Sequence, residues 1–173
     1  APKVTNIATM CQNNKNLRKF KMGQSPLVVT ANTTFQNCTS LEELELHIPD
    51  NTLNYCQDMC NNCTNLKKLK GEARLKADGP SPTTTYWSNM FYNCRNLEEL
   101  PDIFPSGGWA GSFAVNNVTF TYGFANCLNL TGTIPSWIWE TWPGRQNYQM
   151  NVFMNSLKLD NFNDISLYWK GGD

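Results

Sequence analysis

Cys56, Cys60 and Cys63 are the densest group of potential ligands in the chain, spaced C-x-x-x-C-x-x-C. Thiolates at such intervals can hold an iron–sulfur cluster, so redox chemistry is the first possibility to weigh. Two pairs of adjacent carboxylates, Glu42–Glu43 and Glu98–Glu99, offer the residue type that glycosidases use as acid and base. The single histidine, His47, lies between Leu46 and Ile48, and one imidazole alone rarely makes a metal site or a general base. The fourth option is recognition. Trp109, Trp137, Trp139, Trp142, Arg145 and Tyr148 gather in the C-terminal half, and Trp, Tyr and Arg are favoured in binding hot spots.

What must position these groups is a repeated cassette: aromatic, any residue, Asn, Cys, two residues, Leu, two residues, Leu. Phe35-Gln36-Asn37-Cys38 leads to Leu41 and Leu44, and Phe91-Tyr92-Asn93-Cys94 to Leu97 and Leu100. Phe124-Ala125-Asn126-Cys127 leads to Leu130, and in Cys60-Asn61-Asn62-Cys63 a cysteine takes the aromatic slot. Degenerate copies begin at Cys11-Gln12-Asn13-Asn14 and Phe153-Met154-Asn155-Ser156. At the Cys position the spacings are 24, 25, 31, 33 and 29 residues. That lies near the range in which each repeat supplies one short strand.

Leu44-Glu45-Leu46-His47-Ile48 alternates strictly, as a half-buried strand does. The preceding Met59, Met90 and Phe91 suit a short helix behind the strand. Asn carries both a donor and an acceptor, so Asn13, Asn37, Asn62, Asn93, Asn126 and Asn155 read as a stacked structural ladder at the turns. The charges alternate in sign from copy to copy. Arg18, Lys19 and Lys21 are followed by Glu42, Glu43 and Glu45, then Lys67, Lys68 and Lys70, then Glu98, Glu99 and Asp102. Opposite charges on adjacent strands attract, so the pattern predicts that consecutive copies are spatial neighbours.

The Phe-x-Asn-Cys-x-x-Leu-x-x-Leu cassette, with Ile48-Pro49 ending one strand, resembles the BspA-type leucine-rich repeats of bacterial surface proteins. The resemblance covers roughly residues 10–165. It implies an extracellular, non-enzymatic module binding host proteins, other bacteria or matrix. The spacers after copies three, four and five exceed the family's compact repeat. Cys56, Cys60 and Cys63 also resemble the triad of radical S-adenosylmethionine enzymes, but Cys60 and Cys63 are already explained by the cassette. The seven cysteines are expected chiefly as small buried thiols, although an extracellular protein would ordinarily pair its own.

Composition narrows the function classes. The 173 residues carry 14 Lys+Arg against 14 Asp+Glu, so no net field recruits nucleic acid or anionic lipid. No stretch of eighteen apolar residues is present, so no membrane span is expected. The abrupt ends suggest a mature form or an excised piece of a longer protein. Asn is the commonest residue, at 23. Five Asn-x-Ser/Thr sequons, at Asn32, Asn37, Asn62, Asn117 and Asn129, are of a kind that arises by chance in so Asn-rich a chain.

The expected architecture is one domain over residues 1–173. It is an α/β solenoid, a leucine-rich-repeat right-handed superhelix of about six irregular repeats centred near 14, 38, 63, 94, 127 and 156, with a short parallel sheet on one face. The expected function is adhesion or protein or glycan binding at the cell surface or in secreted form, with no catalytic residue, cofactor or metal. The alternative is an accessory module of a larger protein, such as a cell-wall enzyme or phage tail fibre. The segment Pro135–Arg145 is a long aromatic connection. If it is extended, Trp137 and Trp139 point to the same side. Its rings could contact a ligand or cap an open flank, and sequence leaves both readings open.

Overall fold

Leu44, Leu46 and Ile48 alternate with polar residues, and in the computed structural model they form the inward row of a strand. The structure describes residues 3–77, 87–108, 120–140 and 151–171. Three strands, β1 (Lys19–Gln24), β2 (Glu43–Leu53) and β3 (Lys68–Leu75), lie in one parallel sheet in chain order. The register pairs Lys19 with Glu43 and Glu43 with Lys68. One row inward, Phe20 meets Leu44 and Leu44 meets Leu69. Opposite charges therefore sit side by side on the outer face, as the alternation of sign requires of neighbouring strands.

The expected α/β superhelix of about six repeats is not what the described residues form. They contain three strands rather than six. Their two helices, α1 (Trp137–Glu140) and α2 (Leu167–Lys170), have four residues each, and neither backs a strand of the sheet. The missing strands have a local cause. Leu100 runs into Pro101, which has no N–H to give to a ladder, and Glu72 and Asp102 make only an isolated bridge. After Leu130 the chain meets Gly132 at φ 88° and then Pro135.

The helix expected at Met59, Met90 and Phe91 is absent for a different reason. Each cassette Asn has left-handed backbone, with φ between 61° and 63°. So does the residue four places earlier: Thr9, Thr33, Asp58, Asn89, Tyr122 and Asn151, at φ 50–59°. A right-handed helix cannot contain a left-handed residue every fourth position. The segment folds instead as successive tight turns, and its remaining N–H groups bond across to the next copy. Thr33, Phe35 and Asn37 donate to the carbonyls of Gln57, Met59 and Asn61 at 2.8–2.9 Å. Asp58, Cys60 and Asn62 donate in turn to Ser88, Met90 and Tyr92.

The core lies between these turns and the sheet. Phe35, Phe91, Phe124, Phe153, Leu41, Leu44, Leu66 and Leu97 are all fully buried. Burying each such side chain contributes about 1.5–3 kcal/mol relative to leaving it exposed. Phe91 stacks on Phe124 at 5.2 Å between centroids and Phe124 on Phe153 at 5.5 Å, so the aromatic slot forms a continuous column. Trp169 of α2 closes that column over Phe153 at 6.1 Å.

Candidate ligand-binding surface

The ladder residues are brought together by their own backbone. Only Asn and a few other residues accept φ near +60° at modest cost, and this conformation turns the carboxamide along the direction from copy to copy. Asn37 donates to Asn13 at 2.9 Å, Asn62 to Asn37 at 3.1 Å, Asn93 to Asn62 at 2.7 Å and Asn155 to Asn126 at 2.8 Å. The junction between copies four and five is spanned by the Asn93 N–H, bonded to the Ala125 carbonyl at 2.9 Å.

A second polar row lies three residues farther along. Asn96 donates to Asn65, Asn129 donates to Asn96, and the Lys158 ammonium donates to Asn129. The sequence reading missed this row, although the Asn-x-x-Asn spacing in copies one, three, four and five displays it. The alternate left-handed residues were also missed. Thr, Asp, Asn and Tyr share that position, so residue type gave no signal.

The thiols are structural donors. Cys38 Sγ donates to the Cys11 carbonyl and Cys63 Sγ to that of Phe35, each at 3.0 Å, while Cys94 and Cys127 reach the carbonyls of Cys60 and Phe91. In copy six the Ser156 hydroxyl takes the same role toward Phe124 at 2.8 Å. All seven cysteines are free, and six are buried. Loss of solvation pushes the Cys38 thiol up to about 11 and raises those of Cys56, Cys60, Cys94 and Cys127 further. Thiols held protonated in this way make poor metal ligands and poor nucleophiles. In the suspected triad, Cys56 Sγ faces Met90 Sδ at 3.6 Å and Cys63 is committed to Phe35. Among the described residues, no group of three His, Cys, Asp or Glu side chains is placed to hold a metal ion.

Of the carboxylates that suggested acid–base work, Glu43 is the one held as an ion by its neighbours. Glu43 bridges Lys19 at 2.7 Å and Lys70 at 2.8 Å. Hydrogen bonds from these two ammonium groups lower its carboxyl to about 2. Glu45 is lowered by Lys21 at 2.7 Å and His47 at 3.1 Å. His47 is thus a half-exposed strand residue paired to its neighbour. Glu42 meets Arg18 at 3.7 Å, whereas Glu98 and Glu99 are exposed and make no ion pair among the described residues. Lys19, Phe20, Lys21, Glu43, Glu45 and Lys70 line a shallow recess of about 260 Å³ on this face.

The aromatic candidates divide. Trp109, Trp142, Arg145 and Tyr148 fall outside the described residues. Trp137 and Trp139 lie on the single turn of α1, not on an extended segment, so the expectation that both point one way is corrected. Two residues apart on a helix point to nearly opposite sides. Trp137 is 36% exposed and sets its edge against Phe104 at 6.2 Å, and Trp139 packs half-buried on the core. Trp169 is buried and Trp87 donates its indole N–H to the Asn54 carbonyl at 2.9 Å. Capping is thus the role of Trp169, while Trp137 is partly exposed at the surface. No helix among the described residues is long and apolar enough to cross a membrane. No protein-family model, curated protein or solved structure matches this chain.

Proposed function

We propose that the chain is a non-catalytic binding module that mediates adhesion or captures a protein or glycan ligand. It acts at the cell surface or in secreted form, in the manner of the BspA-type leucine-rich-repeat proteins whose cassette it resembles. The observation that carries this reading is the use of its reactive groups. The thiols donate to carbonyls between copies, and Glu43 and Glu45 are locked by lysines, so both kinds of side chain serve cohesion. A rigid frame of this kind leaves recognition to exposed side chains and to its longer connections. Trp137, at the start of the aromatic connection, is the described residue best suited to contact a ligand.

The test is a binding screen of the intact chain against glycoproteins and polysaccharides, repeated with Trp137→Ala, Trp139→Ala and Trp142→Ala. Trp137→Ala is expected to weaken capture of any ligand found, with a smaller drop in melting temperature than Trp139→Ala gives. Trp139→Ala is expected to lower the melting temperature. Binding that all three substitutions leave intact would remove the aromatic connection from the proposal.

A further inference from the structure

The first and last described copies are finished differently. At the C-terminal end α2 takes the last donors: Asn151 bonds to the Tyr168 carbonyl and Phe153 to that of Trp169, and the Trp169 ring covers Phe153. At the N-terminal end nothing among the described residues plays this part. Among the described residues β1 pairs on one side only, with β2, so alternate N–H and C=O groups along its other edge have no strand partner there. The carbonyls of Ala8, Met10 and Gln12 accept no backbone bond among the described residues, whereas their equivalents at Asn32, Thr34 and Gln36 each accept one from the copy before.

Packing repeats the contrast. Leu41, Leu44 and Leu46 are fully buried, but their counterparts Leu17, Phe20 and Met22 are only partly covered, and Met10 is 49% exposed. Among the described residues the edge therefore lacks backbone partners and full apolar cover.

Charge selects what can sit there. Glu43, with a strand on each side, takes a lysine from each. Lys19 and Lys21 have one neighbouring strand and one carboxylate apiece, with side chains 67% and 71% exposed. Arg18 adds a third cation along the same edge. A second copy of β1 would bring like charges face to face, which disfavours pairing of two such edges. We propose that the free edge of β1 binds an acidic β-strand of a partner protein, running parallel, with carboxylates at alternate positions facing Lys19 and Lys21 and apolar residues between them covering Phe20 and Met22. Backbone hydrogen bonds supply the affinity and the alternate side chains the specificity. The proposal does not rest on the adhesion reading, because it concerns a different surface and a different probe.

The experiment uses a synthetic peptide copying residues 40–48, whose Leu-Glu-Glu-Leu-Glu-Leu core has the required pattern. Its control carries Glu42→Lys, Glu43→Lys and Glu45→Lys. The acidic peptide is expected to bind the intact chain saturably and about tenfold or more tightly than the control, with affinity falling as salt rises. Lys19→Gln/Lys21→Gln in the protein should reduce that preference, and bound peptide should slow amide exchange at Lys19 and Lys21. Equal binding of both peptides, or of neither, would overturn the proposal whatever the variant does. So would a stable dimer of the chain that excludes the peptide, since the edge would then serve self-association.

Discussion

The Asn93 carboxamide donates to the side-chain oxygen of Asn62 at 2.7 Å, across 31 residues of chain. Asn62 in turn donates to Asn37, so one residue carries two links between copies while its own backbone stays left-handed at φ 62°. Asn62→Ala removes both side-chain bonds and leaves an alanine in a strained conformation. The expected loss is about 3–4 kcal/mol, from about 1 kcal/mol for each of the two bonds and 1–2 kcal/mol of backbone strain. Asn62→Gly removes the bonds but accepts the backbone, and is expected to fall between alanine and wild type. Urea midpoints of the three proteins check the order.

The bridged carboxylate gives an acid limit with a definite sign. Glu43 is lowered from its ordinary 4.5 to about 2 by Lys19 and Lys70, so its contribution is present above the ordinary value and lost as pH falls toward 2. In Glu43→Gln the urea midpoint is expected to be lower at pH 7 and to change less between about pH 4.5 and 2. A midpoint that tracks wild type across this range would show that the pair is too screened to matter.

The thiols set the opposite limit. Cys38 is raised by burial from 9.0 to about 11, and Cys127 is raised as well. A group whose folded value is raised stabilises fully below its unfolded value, and that stability is lost as pH rises through the folded one. Unfolding is therefore expected to become easier from about pH 9 upward. Cys127→Ser copies the arrangement at Ser156, whose hydroxyl keeps the bond to the preceding copy. The variant should fold and show a shallower alkaline decline in thermal melts.

Gly71 separates a required glycine from a permissive one. It lies at φ 78°, and a Cβ there would collide with the Leu46 carbonyl oxygen of the neighbouring strand. Gly71→Ala is expected to cost roughly 2 kcal/mol or more, because strain and collision add. At Gly23 a Cβ meets nothing within 4 Å, so Gly23→Ala should leave stability unchanged or slightly raised. Chemical denaturation of both variants tests the contrast.

Much of the site geometry was legible in the sequence because it depends on residue type at fixed intervals. Asn at every cassette marked the carboxamide ladder, and alternating signs at residues 18–21, 42–45 and 67–70 marked the strand register. What failed depended on backbone conformation that side chains do not announce. Tyr122 and Thr33 adopt φ near +55°, so the run before each cassette Asn folds as turns and not as the helix that Met and Phe suggested. Strand formation after copies four and five failed on Pro101 and Gly132, visible residues whose effect outweighed the leucine spacing. The direction of Trp137 relative to Trp139 turned on one helical turn that no periodicity marks.

The carboxamide ladder also has a polarity: at each of its side-chain links the later Asn gives and the earlier one receives. A duplicated or excised cassette would therefore present the same giver to the same receiver at the new seam. Exchange at cassette boundaries would keep this row intact, but gain or loss of a single cassette within the sheet would set like charges side by side, so exchange in pairs disturbs the sheet least.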